Sequence, residues 1–380
     1  MTQFDDTASA IEAASDYLKL FGPVPANCAP TTHVSQSYRK MVRLIHPDYF
    51  RGTRQLARAE EVFKKLAGFY EEAEVAAKRG TYGQLNFVEW RTRRAKHRVV
   101  NSLGSGDLCA TYAAMSVNAQ TGNECASFCK VAKGPADRDL LVTEATALKR
   151  LRSTLPTGPD DLRVFFPQLL DSFVHREHRK PDRHVNVLPL LEGFYTLGQV
   201  AEAYGARLQG VHMAWIWRRI LWALGHAHQQ GIVHGAILPE HIMVLPQQHG
   251  VLIVDWCYAS IVDDGGTQPP LKAIVGAYKD WYPAEVFAKA APGPATDIAM
   301  AARCMIKVTG GDPVSGNYPS HAALIKPFRA FLRGCIGSHP ASRPQDALHL
   351  LGEFDELLKG LGKPYYPRKF RTFHMPPTAA

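Results

Sequence analysis

The sequence lacks the closely spaced cysteine and histidine pairs that bind zinc. Its seven cysteines are scattered from position 28 to position 335, and no Cys-x-x-Cys pair occurs. The closest two, Cys125 and Cys129, have no histidines at zinc-ligand spacing. An odd number of scattered cysteines argues against a disulfide framework, so we expect free thiols in a reducing cytoplasm.

Long apolar runs are also absent. No stretch of about 18 apolar residues occurs, which predicts that the chain does not insert into a membrane. The most apolar helical stretch, around Met213–Leu224, is interrupted by Arg218 and Arg219, so we interpret it as a buried helix of a globular unit. The acidic start MTQFDDTASAIEAAS lacks the basic-then-apolar order of a secretory signal, and we expect cytoplasmic localisation.

The chain is long enough for two domains, with 380 residues and 46% hydrophobic content. Its net charge of +9 is concentrated in RTRRAKHR at 91–98 and KPYYPRKFR at 363–371. Aromatic side chains between basic ones can stack on nucleic-acid bases, so a nucleic-acid-binding adaptor is one hypothesis. Basic linkers and tails are often only solvated, and we favour that interpretation, without a nucleic-acid partner.

Residues 8–78 have the apolar spacing of a small helical module. A short amphipathic segment covers ASDYLKLFG, and after a loop a second helix is predicted to begin at Ser35 in SQSYRKMVRLIHPD. Pro47 ends this helix because its ring cannot continue the hydrogen-bond ladder. A third helix is predicted in EEVFKKLAGFYEEAE. The last two helices each have an apolar face, formed by Tyr38, Met41, Val42 and Ile45, and by Val62, Phe63, Leu66 and Tyr70.

The segment YRKMVRLIHPD, the basic loop after it and EEVFKKLAGFYEEAE together resemble helices II and III of a J-domain, and DYLKLFG resembles its start. The resemblance implies docking on a DnaK-type heat-shock chaperone and stimulation of its ATPase. It assigns chaperone binding to the HPD tripeptide and a basic helix face: His46, Pro47, Asp48, Arg39, Lys40 and Arg43. The sequence departs from the family at Tyr49, where lysine is usual, and in a longer loop before the second helix. The alternative is a three-helix bundle in which HPD is only a turn.

After a basic linker at 79–98, the chain follows the motif order of a protein kinase. LGSGDLCATYAA resembles the Gly-rich loop, with Cys109 at its third glycine. SFCKVA, LLVTEATALKRL and VLPLLEGFYTLGQV resemble the third strand, helix C and the hinge. Lys133 is an alternative to Lys130 as the phosphate-binding lysine. The resemblance implies a nucleotide-binding role for Gly104, Gly106, Lys130, Glu144, Leu190 and Glu192.

VHGAILPEHIMV, at 233–244, resembles a kinase catalytic loop without its reactive groups. His234 keeps its place, but Ala236 stands at the catalytic aspartate, Leu238 at the lysine and His241 at the metal-holding asparagine. Phosphoryl transfer needs a carboxylate that orients the attacking hydroxyl and accepts its proton. We therefore expect no catalytic residue in this loop.

Further motifs complete the resemblance. VLIVDWCYAS resembles the strand that ends in Asp-Phe-Gly and assigns magnesium to Asp255. WYPAEVF, ATDIAMAARCM and SHPASRPQDAL imply structural roles for Glu285, Asp297 and Arg343. The patterns HGA and VDW are also similar to aminoglycoside kinases, in which the missing carboxylate has the same position.

The sequence therefore predicts an α+β multidomain protein. It has an all-α J-domain helical hairpin at 8–78 and a protein-kinase-like bilobal fold at 99–360, followed by a basic, flexible tail at 361–380. The β-rich small lobe is placed at about 99–191 and the mostly α large lobe at about 192–360.

We expect a co-chaperone whose pseudokinase domain recognises a client or another partner. The cleft either holds ATP with one Mg²⁺ or contains only an internal ion pair. An atypical Ser/Thr protein kinase with a displaced carboxylate remains the enzyme alternative.

Overall fold

The structure is a computed structural model that describes residues 3–14, 16–25, 28–78, 82, 88–106, 108–134, 137–153, 162–176, 182–368 and 371–375. The chain divides into two compact units, Met1–Trp90 with Arg98–Ser102, and Arg91–His97 with Leu103–Ala380. The fold is mixed α/β, with helices at the amino terminus and an antiparallel sheet after them.

The described residues of the first unit form four helices, α1 Gln3–Ala13, α2 Tyr17–Phe21, α3 Pro30–Ile45 and α4 Leu56–Lys78. A 3₁₀ turn, Pro47–Phe50, lies between α3 and α4. The helices enclose one apolar core, formed by Phe4, Ala8, Ile11, Phe21, Val34, Ile45, Ala59, Val62, Leu66, Ala73, Ala76, Ala77 and Tyr82.

Two predictions for this unit are wrong. The module does not start at residue 8, because α1 begins at Gln3 and buries Phe4 in the core. The second predicted helix does not begin at Ser35, because α3 starts five residues earlier, at Pro30. Proline suits the first position of a helix, where the missing N–H has no partner to lose. The loop before α3 is correspondingly shorter than the sequence suggested.

A six-stranded sheet of order β1-β2-β3-β4-β6-β5 follows the amino-terminal helices along the chain, and its pairs β3–β4, β4–β6 and β5–β6 are antiparallel. Strands β3 to β6 belong to the second unit. Smaller sheets of order β10-β9-β7 and β11-β8 follow. The strands are β1 Glu89–Arg91, β2 Ala95–Ser105, β3 Cys109–Asn118, β4 Glu124–Ala132, β5 Asp171–His175, β6 Arg183–Pro189, β7 Tyr195–Thr196, β8 Ile232–Val233, β9 Ile242–Leu245, β10 Gly250–Ile253 and β11 Ser260–Ile261.

The helices of the second unit are α5 Arg138–Ser153, α6 Leu197–Ala203, α7 Gly210–Gln229, α8 Ala284–Phe287, α9 Pro294–Val308, α10 Lys326–Gly334 and α11 Ala347–Leu361. Helix α7 contains the apolar stretch around Met213–Leu224, and its residues Met213, Ile216 and Leu224 are fully buried in a large apolar core. None of the helices in the described part of the chain is both long enough and apolar enough to cross a membrane.

The predicted linker and tail are more ordered than their composition suggested. Part of the linker at 79–98 forms β1 and the start of β2. In the tail, Phe373 is 1% exposed and contacts Trp215 and Tyr204. Arg368 forms an ion pair with Asp355. The prediction of a flexible tail is therefore wrong for residues 363–368 and 371–375, because their aromatic and basic side chains find partners on the helices.

Candidate functional site

The first candidate site is the HPD turn between α3 and α4. His46 caps the end of α3, and its Nδ1 accepts the backbone N–H of Asp48 at 3.2 Å. Nδ1 therefore serves as a hydrogen-bond acceptor within the turn. The ring also packs edge-on against Phe63 of α4, with centroids 5.1 Å apart. These contacts fix the imidazole while leaving its side chain 36% exposed.

Asp48 presents its carboxylate on the same turn, with a side chain 57% exposed and 2.7 Å from the guanidinium of Arg51. Pro47 begins the 3₁₀ turn, and its ring fixes φ at this position. The proline therefore restricts the backbone between His46 and Asp48. The structure thus places all three predicted HPD residues on one solvent-accessible turn. Tyr49, directly after them, is 69% exposed.

Helix α3 carries the predicted basic face. Arg39, Lys40 and Arg43 are exposed. None of the three forms an ion pair with a described residue. Their positive charge is therefore not neutralised locally and remains available to an acidic partner.

The second candidate site is a continuous chain of polar contacts in the second unit. Lys130, on β4, donates from Nζ to Glu144 Oε1 of α5 at 2.7 Å and to Asp255 Oδ1 at 2.6 Å. The other oxygen of Asp255 is 3.2 Å from His241 Nε2. His241 Nδ1 is 2.7 Å from the carbonyl oxygen of Ala236. The chain therefore joins helix α5 and the sheet to the stretch that resembles a catalytic loop.

The charged groups in this chain of polar contacts stabilise each other's ionised forms. Burial opposes ionisation of Lys130, but Asp255 and Glu144 outweigh it and hold the pKa of the amine well above its ordinary value. Burial alone would raise the pKa of Asp255, yet Lys130 and His241 keep it well below its usual range. Burial lowers and Asp255 raises the pKa of His241, with a net rise. Both ring nitrogens of His241 face oxygen acceptors, so the imidazolium is the form that satisfies them.

Two residues that belong to this chain of polar contacts were not predicted from the sequence. Asn186 of β6 donates from Nδ2 to Glu144 Oε2 at 2.9 Å and to the Leu141 carbonyl at 2.8 Å, which fixes α5 against the sheet. The Cys257 thiol donates to Asp255 Oδ1 at 2.7 Å. An amide inside an apolar strand could have signalled the first, since a buried polar group needs a partner.

The remaining predicted nucleotide-binding residues take no part in this chain of polar contacts. The Gly106 N–H closes the β2–β3 turn by donating to the Cys109 carbonyl at 3.0 Å, and the Gly104 carbonyl accepts the Thr111 hydroxyl at 3.1 Å. The Leu190 N–H donates to the Ala126 carbonyl at 3.0 Å. Glu192 is exposed beyond the end of β6.

Asp297, at the start of α9, holds the stretch around His234. Its fully buried carboxylate accepts the backbone N–H groups of His234 at 2.7 Å and Gly235 at 2.8 Å, and it lies 3.0 Å from His228 Nε2. Gly235 has a φ of +74°, and a Cβ there would meet Leu271 at 2.5 Å. Only glycine can adopt this geometry without displacing its neighbours.

His234 itself is locked in a neutral form. Its Nε2 lies 3.0 Å from the Val254 carbonyl, and its Nδ1 accepts the Ala236 N–H at 3.2 Å. Burial lowers the pKa of His234 to about 4. The pKa values of the two histidines of this stretch, His234 and His241, are therefore shifted in opposite directions.

Glu285 and Arg343 form a buried ion pair. The guanidinium NH2 lies 2.6 Å from Glu285 Oε1, and the two side chains are 1% and 10% exposed for Arg343 and Glu285 respectively. Thr296 of α9 also donates to Glu285, at 3.2 Å. This pair joins α8 and the segment before α11 to the start of α9.

The residues at the predicted metal position do not fit Mg²⁺. The ion prefers several oxygen ligands in octahedral geometry. Here both oxygens of Asp255 already accept from Lys130, Cys257 and His241. The position of the second metal-holding side chain carries an imidazole whose two nitrogens point at oxygens. In the described residues no group of three or more His, Cys, Asp and Glu side chains is arranged to hold a metal ion.

A third polar cluster lies within the sheet and was not predicted. His97 Nε2 is 3.1 Å from Asp171 Oδ2, and His97 Nδ1 is 2.7 Å from the Ser116 hydroxyl, which in turn is 2.7 Å from Ser127. All four side chains are buried. A Ser–His–Asp order usually invites comparison with hydrolases, but here no member is accessible to a substrate. We assign the cluster a structural role in joining β2, β3, β4 and β5.

Comparison with protein-family models gives no match, and comparison with curated proteins gives none either. The function therefore has to be argued from the residues and their geometry.

Proposed function

We propose that this protein is a co-chaperone. Its first unit acts as a J-domain that recruits a DnaK-type chaperone and stimulates that chaperone's ATPase. Its second unit acts as a protein-kinase-like pseudokinase, with a β-rich small lobe and a mostly helical large lobe, that recognises a client or another protein partner.

The observation that carries the proposal is the HPD turn beside an unneutralised basic helix face. The imidazole and the carboxylate are already ordered on a short turn. Binding to a partner therefore costs little additional conformational entropy. Exposed charges on the adjacent α3 can steer and orient the encounter with an acidic surface.

The test is the steady-state ATPase rate of a purified DnaK-type chaperone with increasing concentrations of the full chain. We expect stimulation by the wild type and its loss in Asp48→Asn, which removes the charge but keeps the shape of the side chain. Asp264→Asn, an exposed site in the second unit, is the matched control and should stimulate normally. Equal stimulation by wild type and Asp48→Asn would exclude this role for the turn.

Loss of phosphotransfer is the second part of the proposal, and it depends on position 236. Alanine there cannot accept a proton, and two acidic residues associated with this stretch, Glu240 and Asp297, already accept other hydrogen bonds. Glu240 accepts the Tyr278 hydroxyl at 2.7 Å, and Asp297 accepts two backbone N–H groups. A phosphotransfer assay with labelled ATP, with Asp255→Ala as control, distinguishes a pseudokinase from an atypical Ser/Thr kinase.

ATP binding requires a rearrangement of the polar chain. Lys130 already donates to two carboxylates, so a phosphate group would have to displace Asp255 from it. The four charged side chains Lys130, His241, Glu144 and Asp255 also sum to zero, which leaves no excess positive charge for a triphosphate. We therefore favour the internal ion pair as the resting function of these residues and partner recognition as the function of the unit.

A further inference from the structure

Helix α1 packs on both helices that flank the HPD turn, α3 and α4. Phe4, Ala8 and Ile11 lie on one face at helical spacing and are 5%, 0% and 0% exposed. The Lys65 ammonium of α4 donates to the Glu12 carbonyl near the end of α1 at 2.7 Å. The helix is thus a packed part of the unit.

Its amino-terminal end contacts the turn directly. The ring of Phe4 lies 4.3 Å from the ring of Phe50, centroid to centroid. Phe50 is the last residue of the 3₁₀ turn that starts at Pro47. A shift of the Phe50 ring would move the short turn that carries Pro47 and Asp48, because only a few bonds connect them.

A second contact holds α1 at the other end of the loop. Arg58, in the first turn of α4, donates from Nε and NH2 to the two carboxylate oxygens of Glu12, both at 2.8 Å, and from NH1 to Asp5 at 3.2 Å. Such a two-pronged pair fixes direction as well as distance. The same guanidinium lies 5.9 Å from the centre of the Phe4 ring. The HPD turn and the start of α4 are therefore both tied to α1, at Phe50 and at Arg58 respectively.

We infer that α1 is a brace that sets the orientation of the HPD turn, with Phe4 as the positioning residue. The inference rests on the proposed co-chaperone function and assigns affinity and stimulation to different parts of the unit. The basic face of α3 sets how tightly the chaperone is bound, whereas the Phe4–Phe50 contact sets how well His46 and Asp48 are placed once it is bound.

The experiment separates these two quantities in the full chain. ATPase rates of a purified DnaK-type chaperone are measured against the concentration of wild type, Phe4→Ala, Phe4→Leu and Arg43→Ala. We expect Phe4→Ala to lower the saturating rate ~5-fold with little change in half-saturation, because the HPD turn stimulates hydrolysis only after the complex has formed, and its misplacement lowers the rate within the complex. Arg43→Ala should raise the half-saturating concentration and keep the saturating rate.

Phe4→Leu is the conservative control, since leucine refills most of the apolar space against Phe50, and its saturating rate should stay near that of the wild type. Protection of the α3 and α4 amides from hydrogen exchange shows whether Phe4→Ala remains folded. A loss of stability alone would reduce the active fraction, which raises half-saturation and leaves the saturating rate unchanged. A saturating rate for Phe4→Ala equal to that of the wild type would overturn the inference, whereas no stimulation by wild type would instead remove the co-chaperone proposal.

Discussion

Replacing His241 with glutamine should destabilise the second unit in a pH-dependent way. In the wild type, the imidazolium donates to the Ala236 carbonyl at 2.7 Å and contacts Asp255 at 3.2 Å. Hydrogen bonds to charged groups contribute ~1.5–3 kcal/mol each, and a neutral amide at this position can replace about one of the two. The His241 side chain is only 10% exposed, so solvent screens these contacts weakly. One such hydrogen bond is lost, so we expect a loss of ~1.5–3 kcal/mol in the free energy of unfolding at about pH 6.

The sign of the pH effect follows from the raised pKa of His241 in the folded state. The contribution of His241 to stability is complete below its unfolded pKa of about 6.5. It is lost as the pH rises through the higher folded pKa. The difference in stability between wild type and His241→Gln should therefore be largest at about pH 6 and smallest at about pH 9.

Urea titrations followed by tryptophan fluorescence can measure this difference, because Trp256 is fully buried next to Asp255. His321→Gln, at an exposed histidine of the same unit, is the matched control and should leave the stability unchanged at every pH. A difference between wild type and His241→Gln that stays constant, or grows with pH, would refute the ion pair between His241 and Asp255.

Further predictions concern the buried ion pair, the aspartate that holds residue 234, the tail and the cleft. Arg343→Met leaves the Glu285 carboxylate buried without its partner, and urea titration should show a loss of ~3–5 kcal/mol. Asp297→Asn removes a charge that accepts two backbone N–H groups, and we expect thermal unfolding to show a loss of ~2–4 kcal/mol. Phe373→Ala removes a buried ring that packs on Trp215, so the unfolding free energy should fall by ~3–5 kcal/mol and the tail amides should exchange faster. ATP should raise the melting temperature no more with Mg²⁺ than with a chelator, and a large Mg²⁺-dependent rise would contradict the misfit at Asp255.

The convergence of Lys130, Glu144 and Asp255 was predictable from the sequence. Each residue follows a motif in a fixed order, and that order implies which strand or helix carries it. The contact of His241 with Asp255 could not be predicted in the same way. Whether a histidine in a loop faces a metal site or replaces the metal depends on ring orientation and local charge, which a motif does not encode.

Local signals also misplaced element boundaries. Helix α1 was missed up to residue 8 because QFDDTASAIEA contains few large apolar residues, and its helical spacing rests on Phe4, Ala8 and Ile11. The start of α3 was missed because proline and threonines resemble a loop, although proline is well suited to a first helical position. In both cases tertiary packing outweighs the weak local preference.

Long-range partners account for the other omissions. His97 on β2 and Asp171 on β5 are separated by 74 positions. No local sequence pattern shows that these two strands belong to the same sheet. The basic tail was assigned to solvent because its charge suggested it, yet Arg368 pairs with Asp355 and Phe373 is buried. Composition alone does not reveal such partners.

The most direct test of the account is the single-turnover hydrolysis of ATP preloaded on a DnaK-type chaperone, in the presence of saturating full chain. Wild type should accelerate hydrolysis, and His46→Gln, which changes the group presented by the turn but not the basic face of α3, should leave hydrolysis at the rate of the chaperone alone. Equal acceleration by the two proteins, or none by the wild type, would contradict the claim that the HPD turn of this protein drives a chaperone's ATPase.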